Sequence, residues 1–132
     1  MSYLVDSSSI FRAIKENRIE ILAGNCTLEL ARYELGNILW KEHTLRQRIT
    51  AEELERLIKL VKNVLNLMQV LTIGCHEEKI LDTATKLKLT FYDASYLRYA
   101  KENKLTLVTE DSALIDKADQ HVKALKLDKM AS

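Results

Sequence analysis

Apolar positions along this chain fall into two alternating registers. Short runs of strand length occur at Ser2 to Asp6 (SYLVD), Glu20 to Ala23, Val70 to Ile73, Leu105 to Val108 and His121 to Leu125. Between them, apolar residues recur at helical intervals. Ile10, Phe11 and Ile14 mark a first helix, with Ser7, Ser8 and Ser9 as cap candidates. Thr27 to Lys41 reads as a second, with Gly24 and Asn25 as the turn before it. Thr50 opens a long third helix, because Glu53 three residues on completes a capping-box pattern. Its stripe of Leu54, Leu57, Ile58, Val61, Val64, Leu65 and Met68 is wide enough for core, subunit interface or both. His76 to Leu87 is a fourth, with Ile80, Leu81, Ala84 and Leu87 inward. A fifth begins at Asp93, carrying Ala94, Leu97 and Ala100, and Ser112 to Ala118 is a sixth. His43 to Ile49 (HTLRQRI) reads as an irregular connector.

Short apolar runs alternating with helices imply βαβ units and a parallel sheet. The expected architecture is a single α/β domain over residues 1–132, without linker, repeat or low-complexity segment. Proline is absent and glycine occurs three times, which disfavours long irregular loops.

Composition narrows the function classes. Hydrophobic residues make up 47% and charged residues 30%, and no run approaches the ~20 apolar residues needed to span a bilayer. The start, MSYLVDSSS, has no basic region before its apolar residues and is not read as a signal peptide, so a cytoplasmic protein is expected. Twenty basic against 19 acidic residues exclude a uniformly positive nucleic-acid coat but leave room for a local basic patch. Cys26 and Cys75 fit no metal or redox spacing and read as buried free thiols. His43, His76 and His121 are scattered without metal-ligand spacing and read as surface or helix-end residues. Dinucleotide, P-loop and hydrolase-elbow motifs are all missing.

The carboxylates carry the chemistry. Asp6 follows the first strand and Asp111 a later one, so parallel pairing of those strands brings both to one sheet edge, where ligands bind in open α/β sheets. Asp93, at a helix start, can face the same edge, and Glu34 is the one acid in an otherwise apolar stretch from Leu30 to Trp40. Each has a simpler reading, since Asp6, Asp93 and Asp111 can serve as helix caps and Glu34 can face solvent. Gathered together, they repel by about 4 kcal/mol per pair at ~4 Å and an effective dielectric near 20. Such a cluster calls for cations or raised pKa values, and all-oxygen ligands suit Mg²⁺ or Mn²⁺.

YLVDSS at the start, LARYELGNILWK in the second helix and LTFYDASYLRYAKENKLTLVTED in the centre resemble the PIN domains. Among these the likeness is to the small VapC-type toxins of prokaryotic VapBC toxin–antitoxin pairs, and it extends over essentially the whole chain. The resemblance implies a three-layer α/β/α fold with a central parallel sheet. It implies Mg²⁺- or Mn²⁺-dependent endonucleolytic cleavage of RNA, with Asp6, Glu34, Asp93 and Asp111 as the catalytic and metal-holding quartet. It makes Ser7 and Thr109 helper hydroxyls, with Ser112 as a weaker one, and it implies an antitoxin partner and a homodimer. Glu110, beside Asp111, is expected to face solvent. Arg12, Lys15, Lys41, Arg46 and Arg48 are candidates to guide RNA phosphates, against ordinary solvated charge. Two other functions stay open on the same fold: a PIN-type nuclease in RNA maturation or turnover, and a catalytically silent RNA- or protein-binding module. A receiver-like phosphoacceptor domain ranks below them, because no lysine follows a late strand where one is needed.

Overall fold

The structure, a computed structural model, describes residues 3–130. Five parallel strands, β1 (Tyr3–Val5), β2 (Cys26–Leu28), β3 (Gln69–Leu71), β4 (Thr106–Val108) and β5 (Ala124–Leu125), lie in the order β3-β2-β1-β4-β5. Helices α1 (Ser7–Lys15), α2 (Leu30–Trp40), α3 (Ala51–Leu67), α4 (Glu77–Leu87), α5 (Phe91–Glu102) and α6 (Ser112–Ala118) connect them. The alternation of side chains along each strand divides the core into two layers. Val5 and Val108 join the α1, α2 and α3 face, with Ile10, Leu35, Val61 and Leu65. Their neighbours Leu4 and Leu107 join the opposite face, with Tyr96 and Leu97 of α5 and Leu114 of α6. The three-layer α/β/α expectation therefore holds.

The order of the strands decides where a ligand can sit. From β1 the chain winds outward through β2 to β3, then returns across the sheet to β4 on the other side of β1. The strand order thus reverses between β1 and β4, and the crevice beyond the carboxyl ends of such a pair is the binding position in open α/β sheets. β1 and β4 are in register from Tyr3–Thr106 to Val5–Val108, and Asp6 N–H donates to Val108 O at 3.0 Å. Residues 6 and 109 therefore leave the sheet side by side.

Several expected elements are placed differently. The first strand begins at Tyr3, and Ser2 lies outside the described residues. Glu20 to Ala23 is not a strand: Ile19–Leu22 forms a single 3-10 turn, and Gly24, at φ +78°, reverses the chain into β2. β2 takes in Thr27 and Leu28, read as the start of a helix, because Cys26–Leu28 is buried throughout and pairs on both sides. A three-residue apolar strand has too little periodicity to be told from a helical turn. The HTLRQRI segment is more regular than expected, since α2 continues into a π-helical turn at Lys41–Leu45. The capping box at Thr50 and Glu53 is formed as read. Leu81 points outward at 58% exposure, Ile58 is largely outside the α3 packing face, and Cys75 is exposed while Cys26 is buried. No helix among the described residues is long and apolar enough to cross a membrane.

Candidate active site at the carboxyl edge of β1 and β4

Asp6 ends β1 and caps α1, prevailing over the serines that compete for that role. Its Oδ1 accepts from Ser9 N–H at 3.1 Å and from the Ser8 hydroxyl at 2.7 Å. Only 5% of the residue is exposed. Burial pushes its pKa up to about 6, with a contribution from Glu34, although Ser8, Thr109 and the Ser9 amide favour the carboxylate. At neutral pH this aspartate is a charge held where charge is costly.

Glu34 projects from α2 and accepts from the Tyr96 hydroxyl at 2.9 Å. Its pKa is raised by burial and by Asp93, against the easing effect of the Tyr96 and Ser7 hydroxyls. Tyr96, 1% exposed and the bulkiest fully buried side chain, thus joins α5 to α2 across the site. Asp93 lies in the first turn of α5 and is not its cap: the Thr90 hydroxyl accepts from Asp93 N–H at 3.1 Å. The Asp93 side chain is thereby released from local duty. Burial and the neighbouring Asp111 raise its pKa, while Lys117 of α6 lowers it. Asp111 does cap its helix, with Oδ1 accepting from Ala113 N–H at 2.9 Å and Leu114 N–H at 3.3 Å. Its residue is otherwise exposed.

The four acids therefore form a row in which each interacts with the next: Asp6 with Glu34, Glu34 with Asp93, and Asp93 with Asp111. Among the described residues, no three His, Cys, Asp or Glu side chains form a ready-made metal cage. An all-oxygen row of mutually repelling carboxylates nevertheless fits a hard divalent cation that keeps several of its own waters, as Mg²⁺ does.

The smaller groups divide. Ser7 is buried and acts on Glu34, and buried Thr109 accepts from Asp111 N–H at 3.2 Å, steadying the turn that carries Asp111. Ser112 is exposed in the first turn of α6. Glu110 departs from expectation: its carboxylate accepts from the Ser9 hydroxyl at 2.8 Å and Leu127 N–H at 2.9 Å, and it pairs with Arg12. Those contacts keep it below the ordinary glutamate pKa despite its burial. Solvent is not its environment, because the chain returns at residues 127–129 to cover it.

Arg12 is engaged by Glu16, Glu110 and Asp128, which occupies the guanidinium a phosphate would use. Arg46 pairs with buried Glu42 at 2.8 Å, and Arg48 lies 3.6 Å from it. Lys15 stands over the Phe11 ring at 5.3 Å, and Lys41 is exposed. Sequence reasoning offered Ser8 only as a helix cap and assigned no role to Tyr96 or Lys117. Tyr96 carried a signal, lying one helical turn beyond Asp93 on the same helix.

A row of carboxylates at the switch point of a three-layer parallel α/β fold defines a class of acidic-centred domains. The chain belongs to the PIN-domain family, whose pattern matches residues 1–120. It is 37% identical over 119 residues to Exonuclease VapC9 of Pyrobaculum aerophilum, covering 89% of this chain and 86% of that protein. The crystal structure of PAE2754 from Pyrobaculum aerophilum superposes with a TM-score of 0.79 at 30% identity, covering 94% of this chain and 89% of that one. VapBC-1 from nontypeable Haemophilus influenzae superposes with a TM-score of 0.60 at 18% identity, covering 98% and 100%, a likeness of fold.

Proposed function

We propose that this protein is a Mg²⁺- or Mn²⁺-dependent ribonuclease, the toxin of a toxin–antitoxin pair. The observation that carries the reading is the row Asp6, Glu34, Asp93 and Asp111 at the β1/β4 switch point, with pKa values raised at Asp6, Glu34 and Asp93. Raised pKa values in an acidic row mark a place that favours a cation. Similarity to a protein named an exonuclease of the VapC type supports the nuclease class.

Asp6, Asp93 and Asp111 would hold the metal, with Glu34 completing the row. A bound divalent ion lowers the pKa of water and neutralises charge on a phosphodiester in displacement. The chain's own residues do the rest. Thr109 fixes the turn that presents Asp111, Tyr96 and Ser7 orient Glu34, and Lys117 supplies positive charge beside Asp93. Exposed Lys15, Lys41, Arg46 and Arg48 supply cations for RNA phosphates, Arg46 and Arg48 while also facing Glu42. An antitoxin partner, a homodimer and a cytoplasmic location belong to the same reading through the VapC likeness.

The test uses purified protein on linear and circular RNA, with Mg²⁺, Mn²⁺ or EDTA, beside Asp93→Asn. Metal-dependent cleavage of both RNAs, lost in the variant, is the expected result. Cleavage of linear RNA alone would assign exonucleolytic action, the activity in the relative's name. Cleavage that persists in EDTA overturns the metal-dependent reading. Induced expression in a bacterial host addresses the toxin role: growth arrest by the native chain, but not by Asp93→Asn, is expected. Growth without arrest, together with cleavage in vitro, would favour RNA turnover outside toxin–antitoxin systems.

A further inference from the structure

The three consecutive serines that open α1 send their hydroxyls to three different carboxylates. Successive residues on a helix point about 100° apart. Ser7 acts on Glu34, Ser8 donates to Asp6 Oδ1 at 2.7 Å, and Ser9 donates to Glu110 Oε2 at 2.8 Å. Ser9 therefore belongs to the anchor formed by Glu110, Arg12 and the turn at 127–129, whereas Ser8 stands between that anchor and the acidic row.

The direction of the Ser8 proton follows from its neighbours. Glu110 N–H donates to Ser8 Oγ at 3.0 Å and occupies one lone pair. Asp6, as a carboxylate, can only accept. The hydroxyl proton is thus directed at Asp6 Oδ1, where Ser9 N–H also arrives at 3.1 Å. Both donors fall on the same oxygen, Oδ1. The Thr109 hydroxyl lies 3.4 Å from Ser8 Oγ and borders the same carboxylate.

We infer that Ser8 is a positioning residue: it locks the rotation of the Asp6 carboxylate by engaging Oδ1, and its own orientation is set by the Glu110 backbone. The inference rests on the metal-dependent nuclease reading. Outer partners of metal ligands carry about 10–100-fold of affinity or activity. A serine at this position does so here by choosing which carboxylate oxygen is spent inside the protein. Because Glu110 is pinned to Leu127 N–H, the lock is referenced to the carboxyl-terminal turn as well as to the sheet.

The test is Mn²⁺ affinity by calorimetry, with RNA cleavage rate and circular dichroism, on native protein, Ser8→Ala, Ser8→Thr and Asp6→Asn. Ser8→Ala is expected to fold, to bind Mn²⁺ about tenfold more weakly and to cleave at least about tenfold more slowly. Ser8→Thr, which keeps the hydroxyl, recovers most of both. Native Mn²⁺ affinity and native rate in folded Ser8→Ala overturn the inference, as does a Ser8→Thr variant no better than Ser8→Ala. Should Ser8→Ala fail to fold, Ser8→Cys carries the same comparison with a weak donor of similar size. Asp6→Asn separates the two levels. Native metal binding in Asp6→Asn overturns the nuclease site itself, and loss there with native behaviour in Ser8→Ala overturns only the role of Ser8.

Discussion

The two ends of the acidic row are built differently. At one end Asp6 is buried and takes hydrogen bonds from a helix amide and a serine hydroxyl, with its backbone tied to β4. At the other end Asp111 is exposed, and its fixed contacts are the two amides that it caps. The first end is assembled before any ligand arrives, and its cost is stored as a raised pKa. The second stays open to water, where a cation and a phosphate can enter. Pre-organisation at one end and access at the other are what a charge-stabilising site needs.

The largest effect expected from breaking this contrast is at the buried end. Asp6→Asn keeps the helix cap, since asparagine caps as well as aspartate, but removes the charge. Cleavage should fall by more than ~100-fold with the circular dichroism spectrum unchanged. Native-like cleavage would remove Asp6 from the site.

The stored cost should be visible in stability. In the unfolded chain Asp6 titrates near its ordinary value of 3.8, and in the fold near 6. Between those values the folded state binds the extra proton, so this group's contribution to stability declines as pH rises through the window and stays low above it. About two pKa units correspond to ~3 kcal/mol. With chelator present, Asp6→Asn should therefore match the native protein near pH 4 and exceed it by up to ~3 kcal/mol at pH 7.5 in urea unfolding. A difference that does not change with pH would contradict the buried charge.

The anchor behind the buried end gives a smaller effect. Glu110→Ala leaves the Ser9 hydroxyl and Leu127 N–H without their acceptor, removes one of the three carboxylates on Arg12, and should cost roughly 1–3 kcal/mol in urea unfolding. A loss below a few tenths of a kcal/mol would mean that the turn at 127–129 is held by packing alone. The open end gives the smallest change in stability. Asp111→Ala should lose about 1 kcal/mol of cap energy, and Asp111→Asn almost none. Both should lose cleavage, which separates the cap from the carboxylate. Activity retained in Asp111→Asn would reduce Asp111 to a cap.

Much of the helical framework was legible in advance because its signals are local. The Thr50 and Glu53 box, the Asp111 cap before Ser112 and the stripe of α3 lie within four residues of their partners. The strands were harder: β2 spans three residues, and its identity rests on neighbours from distant parts of the chain. The acids of the row were recognisable from order and context. The fold settled the competing caps: Thr90 took the role that Asp93 was offered, and Asp6 prevailed over Ser7, Ser8 and Ser9.

The sequence by itself determined the alternation of strands and helices, the four acids and the oxygen-only chemistry that they present, because these depend on residue type and on spacing over a few positions. Only the tertiary structure decided that Asp6 is buried and repelled by Glu34, that Tyr96 reaches across from α5, that Glu110 is an anchor and that Ser8 faces Asp6. Those facts arise where β1 meets β4, pairing residues about 100 positions apart. Desolvation and hydrogen-bond direction come from everything packed around a group, and no local pattern encodes that surrounding.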